Sequence, residues 1–228
     1  MKLAFLGTGS AYSLERYNGA VVVDDRILLD GGAPLLPHMH RLGIDPAGIG
    51  VVFVSHFHGD HLLGLPPFVL YRALAADGTL EVVGPEGIQQ RLEQLFEFCW
   101  LQEWQQFRDR FELRYTVAQP HGNAAGVEYE SVHLDHGQSG GTGYRLRIGS
   151  QLRAYAGDTE PTPPVDELVR DADIAIVEAT GPGEVPSHTS WEKANELVAR
   201  HPGTRFFLNH VFAGDIENGV HDLEVVTA

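Results

Sequence analysis

Val51-Val52-Phe53-Val54-Ser55-His56-Phe57-His58-Gly59-Asp60-His61 decides how this chain is read. Four apolar residues, three of them β-branched, read as a buried strand. The strand runs straight into three histidines and an aspartate within six positions. Alternation along an extended backbone sends His56 and His58 the same way. Asp60 and His61 follow on the turn beyond Gly59. Two imidazoles on one side, with a carboxylate and a third imidazole just past them, suit a pair of adjacent divalent metal ions. A polar loop after a core strand is the plainer alternative, and the rest of the sequence weighs against it.

Three further strand ends carry the same kinds of residue. The segment 127–133 ends in Leu134-Asp135-His136-Gly137, 152–156 in Gly157-Asp158-Thr159, and 206–208 in Asn209-His210. A lone histidine or aspartate at a strand end usually caps or is solvated. Loops at strand ends are also where a rigid scaffold presents chemistry. Together with the first cluster they make a set of seven: His56, His58, Asp60, His61, His136, Asp158 and His210. That number and chemistry match two metals sharing one carboxylate. Cys99 is the only cysteine. It rules out an internal disulfide, which fits a reducing cytoplasm, and it rules out a thiolate zinc cage.

The charge balance is 16 − 31 = −15, with two lysines, Lys2 and Lys193. Nucleic-acid binders usually present a basic face, so this balance counts against a large polyanionic partner. The groups Arg108/Arg110/Arg114 and Arg145/Arg147/Arg153 read as solvated faces rather than a phosphate track. No window approaches 18 apolar residues, so no membrane span is expected. The opening Met1–Leu6 turns to Gly7-Thr8-Gly9-Ser10 too early for a signal-peptide core. That glycine turn lacks a P-loop lysine; a tight turn lining a site mouth and a direct substrate contact both stay open for it.

Without repeats, low-complexity segments or long linkers, residues 1–228 read as one domain of sufficient size for a large core. Strands are expected at 3–6, 20–23, 27–29, 51–54 and 80–83, then at 113–117, 127–133, 143–148, 152–156, 174–178 and 206–208. Helices are expected at 35–42, 65–75, 87–98, 165–170, 191–199 and 215–222. Two sheets face to face with helices outside would bury such strands, giving an α/β four-layer αββα sandwich.

The motifs His56-Phe57-His58-Gly59-Asp60-His61, Leu134-Asp135-His136-Gly137 with Gly143-Tyr144-Arg145, Gly157-Asp158-Thr159, Glu178-Ala179-Thr180, His188-Thr189-Ser190 and Asn209-His210 resemble the metallo-β-lactamase superfamily. The likeness is to its ribonuclease Z-like phosphodiesterase branch, and Leu6-Gly7-Thr8-Gly9-Ser10 and Leu29-Asp30-Gly31-Gly32 look like that branch too. It implies the metallo-β-lactamase fold over nearly the whole chain. It places His56, His58 and His136 on one zinc, Asp60, His61 and His210 on the other, and Asp158 between them. His136 is preferred over His133 on the same ground. Two Zn²⁺ per chain would ionise a shared water near neutral pH, and Mn²⁺ or Fe suit the same ligands. Asp60, His188 and Glu178 become the catalytic set. His188 meets the transferring phosphate or protonates the departing oxygen, and Glu178 orients it. Thr189 or Ser190 can N-cap the following helix at the same time. The histidine that often precedes this glutamate in the family is Val177 here.

The branch's tRNA-gripping arm falls between the third histidine motif and the bridging aspartate. Here that interval is 158 − 136 = 22 residues and already holds two expected strands. A small or cyclic nucleotide-like phosphodiester, or a short nucleic acid, is therefore the expected substrate. A ribonuclease Z-type tRNA 3′ endonuclease is the alternative. A glyoxalase II-like thioesterase uses the same ligand types, and a non-catalytic metal-binding sensor is the non-enzymatic rival. A β-lactamase is disfavoured because those enzymes usually place cysteine where Asp158 stands. A flavin-associated di-iron reductase is disfavoured because it normally has glutamate at the position of His58. Phe68, Tyr71, Phe96, Phe98, Trp100, Trp104 and Phe107 follow the first motif; most read as core or dimer contacts, a minority as a substrate lid. Dimers are common in similar proteins, which leaves a homodimer open. The other six histidines, His38, His40, His121, His133, His201 and His221, are expected in surface or structural roles.

Overall fold

The computed structural model describes residues 2–32, 34–75, 78–107 and 112–227, with the backbone alone for 101–103 and 107. β1 (Lys2–Gly7), β2 (Ala20–Val23), β3 (Ile27–Leu29), β4 (Val51–Phe53), β5 (Thr79–Gly84) and β6 (Glu112–Val117) lie side by side in one sheet. β7 (His121–Ala124), β8 (Val127–Leu134), β9 (Gly141–Ile148), β10 (Gln151–Tyr155), β11 (Ile174–Glu178) and β12 (Arg205–Asn209) form a second, and β13 (Glu224–Thr227) returns to the first sheet beside β1. Helices α1 (Leu35–Arg41), α3 (Leu65–Ala75) and α4 (Ile88–Phe107) pack against the first sheet. α5 (Pro163–Val169) and α6 (Trp191–Arg200) pack against the second. The single turn α2 (Gly59–Leu62) follows β4.

Alternation along the strands sorts their side chains into three apolar layers. In β1, Leu3 and Phe5 face the second sheet while Ala4 and Leu6 face the helices; in β4, Val51 and Phe53 face the sheet and Val52 the helices. From the other side Tyr155, Ile174, Ile176 and Phe207 point inward, and Ala154, Ala175, Val177 and Leu208 point toward α5 and α6. Burial on both faces is why these strands read as unbroken apolar runs. The four-layer αββα sandwich is the observed architecture.

Strand direction fixes where the chemistry sits. β1 is antiparallel to β2 and β2 to β3, while β3 and β4 are parallel, so β1, β3 and β4 point one way. Likewise β8 and β10 are each antiparallel to β9, and β10, β11 and β12 are parallel. The C-terminal ends of each group therefore share one edge of their sheet.

Four expectations change. No helix spans 215–222; Gly219 instead bridges to Leu208, and Asn218 and Leu223 take φ of 60° and 63°. Asp222 there accepts from the Thr8 and Tyr17 backbone amides, using a polar side chain on a loop where a helix would need a continuous ladder. α4 runs on past residue 98 to Phe107, because Ile88, Leu92, Phe96, Trp100 and Trp104 keep an apolar stripe at four-residue steps. β7 carries no apolar run. It forms by pairing with β8 across Ala125 and Gly126, whose φ of 47° and 77° supply the two left-handed residues of a tight hairpin. β13 likewise has no alternating apolar signal long enough to mark it.

Arg145 and Arg153 are not solvated. Arg145 pairs with Glu130 and donates to the carbonyls of Glu167, Leu168 and Arg170 at the end of α5. Arg153, 7% exposed, pairs with Asp24 at 2.8 Å. Arg108 and Arg110 lie outside the described residues. No helix among the described residues is long and apolar enough to cross a membrane.

Candidate metal centre

Beyond β4 the chain stays extended to His58, held by the Val54 amide donating to Val83 O at 2.8 Å. α2 then turns Asp60 and His61 back over the end of β3. Gly32 makes this possible, since a Cβ there would run into the Asp60 carbonyl oxygen, and the Gly31 amide donates to His61 O at 2.7 Å. His136 follows β8, Asp158 follows β10 and His210 follows β12, all from the same edge of the second sheet.

All seven side chains expected from sequence converge, around Asp158. On one side His56 Nε2 and His136 Nε2 lie 3.7 Å and 3.8 Å from Asp158 Oδ2, and His58 Nδ1 is 3.2 Å from His136 Nε2. On the other, His61 Nε2 is 3.3 Å from Asp158 Oδ1, and His210 Nε2 is 3.2 Å from both Asp158 Oδ2 and Asp60 Oδ2. The donor atoms of His56, His58, His136 and Asp158 all lie within 4.8 Å of one another, as do those of Asp60, His61, Asp158 and His210. His133 is exposed and belongs to neither group of donor atoms.

The donor set fits divalent metal ions. His56 Nε2, His61 Nε2 and Asp158 Oδ1 are buried and have no hydrogen-bond partner among the described residues. Buried polar atoms are seldom left bare, because each costs about 1–3 kcal/mol. Their neighbours fix the ring tautomers. His136 Nδ1 donates to Ser187 O at 2.6 Å and His61 Nδ1 to Asp30 Oδ2 at 2.7 Å, which leaves both Nε2 lone pairs facing inward. His58 is turned the other way, with Nε2 2.8 Å from Ser139 Oγ and Nδ1 facing the cluster.

The electrostatics are those of a cation site. Burial, then the neighbouring imidazoles His61, His136 and His58, push His56 down to about 2, outweighing Asp158. Burial also disfavours charge on His210, but Asp158, Asp60 and Glu178 outweigh it and raise His210 to about 10. Burial opposes ionisation of Asp158, yet the charges of His210 and His61 hold it well below the usual carboxylate range.

His188 and Glu178 stand beside the cluster. Glu178 is fully buried and takes a bond from His188 Nδ1 at 2.9 Å through Oε2; its Oε1 accepts from the Thr159 amide at 2.5 Å. Burial lowers the His188 pKa, but the Glu178 carboxylate outweighs it and raises the value overall. Ser190 does cap α6, accepting from the Lys193 amide. The open side of the cluster is a cavity of about 430 Å³ lined by His58, Asp60, Asp158, His188 and His210 with Ser10, Tyr12 and Phe212.

Sequence reading assigned no role to Asp30. Its buried carboxylate accepts from the Ser55 amide and hydroxyl, His61 Nδ1 and the Tyr155 hydroxyl at 2.5–2.7 Å. The signal was present as Asp30-Gly31-Gly32 directly after a strand. Ser139 and the Ser187 carbonyl carried no such signal. Of the described aromatic residues between 65 and 113 none lines the cavity; Phe68, Phe96 and Trp104 are core, and Phe98 is 85% exposed. The side chain of Phe107 lies outside the described residues. Among the remaining histidines, His38 is buried and bonded to Leu6 O, and His201 pairs with Asp166.

The fold is shared by solved structures. Human tRNase Z, short form, superposes with a TM-score of 0.80 at 20% identity, covering 100% of this chain and 99% of that one. The metallo-β-lactamase fold protein YhfI from Bacillus subtilis gives 0.78 at 16% identity, with 99% and 98% covered. A diphosphatase of the PhnP family gives 0.74 at 19% identity, with 99% and 96% covered. In sequence, the ribonuclease Z of Pyrobaculum arsenaticum is 28% identical over 238 positions, spanning 87% of this chain and 80% of that protein. The protein is thus a ribonuclease Z-like hydrolase of the metallo-β-lactamase superfamily. Residues 1–201 match the family described as Anti-Pycsar protein Apyc1, and the chain belongs to that family.

Proposed function

We propose that residues 1–228 act as one dinuclear metal phosphodiesterase unit in the cytoplasm, on a small nucleotide-like substrate, cyclic nucleotides foremost. The convergence of seven donors on Asp158 beside the His188–Glu178 pair carries the reading. One metal would be held by His56, His58 and His136, the other by Asp60, His61 and His210, with Asp158 within reach of both groups. Zinc is the first choice, and manganese or iron suit the same donors. When bound, the ions supply an acidified water and neutralise charge on the phosphoryl oxygens. His188, held by Glu178 through Nδ1, keeps Nε2 for the substrate. Its raised pKa favours the protonated form that can give a proton to the departing oxygen. Asp60 brings a carboxylate to the cavity wall and completes the catalytic set.

The size of the substrate is argued from the short interval between His136 and Asp158. β9 and β10 occupy it and leave no length for a tRNA-gripping arm. The charge of −15 points the same way. The second reading, a tRNA 3′ endonuclease, is favoured by the ribonuclease Z relatives, which match 87% of the chain at 28–29% identity in two Pyrobaculum species. Purified protein with its metals counted, tested on bis-p-nitrophenyl phosphate, cyclic nucleotides, a tRNA precursor and S-lactoylglutathione, separates them. The expected result is the highest kcat/KM on a cyclic nucleotide. Preference for the tRNA precursor installs the second reading, and preference for the thioester removes phosphodiester chemistry altogether.

A further inference from the structure

Hydrolysing a phosphodiester needs no aromatic rings, yet two stand on the rim of the metal-side cavity. Tyr12 is 78% exposed and Phe212 is 48% exposed, and both line the cavity that also holds Asp158 and His188. Large exposed rings are unfavourable in water unless something covers them. The same cavity is lined by Ser10, 3% exposed, whose hydroxyl has no hydrogen-bond partner among the described residues. An orphaned buried hydroxyl in a cavity with two open rings offers a polar handle among apolar groups, and Pro182 and Val185 line the same cavity. The volume of about 430 Å³ is within the range of small-ligand sites.

The two ring-bearing loops are fastened to each other rather than left free. The Ser10 amide donates to Val211 O at 3.2 Å and the Val211 amide to Thr8 O at 2.9 Å. Arg16, from the loop of Tyr12, donates to Val220 O and Gly214 O and pairs with Asp215 at 2.8 Å, all on the segment of Phe212. The spacing of the two loops is therefore set before a ligand arrives.

Resting on the phosphodiesterase reading, we propose that Ser10, Tyr12 and Phe212 form a nucleobase subsite. A flat heterocycle packs against the two rings, the Ser10 hydroxyl bonds a polar atom on its edge, and the ester phosphate lies over the cluster. Stacking accepts any base, and a hydroxyl both donates and accepts. The subsite therefore selects for the presence of a base rather than for one base.

The test is equilibrium binding by calorimetry of nucleoside 5′-monophosphates against ribose 5-phosphate, using the zinc-loaded protein. Turnover of 3′,5′-cyclic nucleotides against base-free ribose 3′,5′-cyclic phosphate is measured in parallel. Wild type should bind the base-bearing ligand more tightly. Tyr12→Ala, Phe212→Leu and Ser10→Ala should each weaken that binding by roughly 5- to 100-fold, with metal content and affinity for ribose 5-phosphate unchanged. Equal binding of the two ligands by wild type, or full retention of the preference in all three variants, overturns the proposal. If neither cyclic substrate turns over while binding still depends on the base, the subsite stands and the phosphodiesterase reading falls.

Discussion

Asp30→Asn isolates the support beneath the metal centre. Asp30 is fully buried, and its two oxygens accept four bonds, from the Ser55 amide, the Ser55 and Tyr155 hydroxyls and His61 Nδ1. An amide of the same shape has one acceptor oxygen and an NH₂ donor. With that oxygen toward Ser55 N, the NH₂ faces two hydroxyls, which can turn to accept, and His61, which cannot unless its proton moves to Nε2. That is the atom facing Asp60 and Asp158. The opposite rotamer sets the NH₂ against the Ser55 amide. Either way one buried donor is orphaned, at about 1–3 kcal/mol, and the surviving bonds lose their charge assistance, for a total of about 3–5 kcal/mol. For a chain of this size that lowers Tm by roughly 6–20 °C. Zinc affinity should fall by about 10- to 100-fold, at the position holding His61 first. Scanning calorimetry in chelator reads the first effect, and competitive zinc titration reads the second. A variant that melts within about 2 °C of the parent, an ordinary surface effect, and keeps both metals at parental affinity would refute the assignment of Asp30.

Asp158→Ala should abolish binding of both ions, because no other carboxylate among the described residues reaches both groups of histidines; elemental analysis of dialysed protein decides it, and one retained metal at full affinity contradicts the bridging role. His188→Gln should lower kcat by about 10²- to 10³-fold with metal content unchanged. Turnover within threefold of the parent would strip His188 of its part. Chelation should lower Tm and added zinc restore it, since a ligand at about 100 times its Kd stabilises by about 2.7 kcal/mol. A melting curve indifferent to chelator and zinc is incompatible with a metal held by folded residues.

The layers and the converging His and Asp side chains were legible because both leave periodic or clustered traces. β1, β4 and β11 are buried on both faces, so their apolar runs stand out, and His56, His58, Asp60 and His61 fall within a span of six positions just past one strand end. What escaped depends on contacts distant in sequence. β7 pairs only because β8 lies across a two-residue turn, and 215–222 bends away from a helix because Asp222 is needed by Thr8, more than 200 residues earlier. The rings on the cavity rim escaped for the same reason. The ring-rich stretch 65–113 is conspicuous in composition, but its stripe faces the core, whereas Tyr12 and Phe212 are isolated in sequence and meet only in the fold. Asp30 shows the intermediate case, a visible motif whose three partner residues come from the end of β4, from α2 and from β10.

Because the reactive ends of β1, β3, β4, β8, β10, β11 and β12 gather at one edge, the opposite edge is free to serve stability alone. There Arg153 of β10 reaches Asp24, in the turn between β2 and β3, and ties the two sheets together at 2.8 Å. Asp24 is partly desolvated, which raises its pKa, but the Arg153 hydrogen bond and the Lys2 amide outweigh this and lower it below the usual 3.8. A lowered native value means that the pair stabilises above the unfolded pKa and loses its contribution as acid protonates Asp24. Arg153→Met keeps much of the buried stem and removes the charge. Between an exposed and a fully buried pair the cost is about 1–2 kcal/mol, or roughly 2–8 °C in Tm near neutrality. The gap between variant and parent should shrink toward zero as pH falls below about 4, while kcat at neutral pH and metal content stay at parental values. A variant equally stable at pH 7, or one whose deficit persists undiminished in acid, would show that apolar packing, not this ion pair, closes that edge.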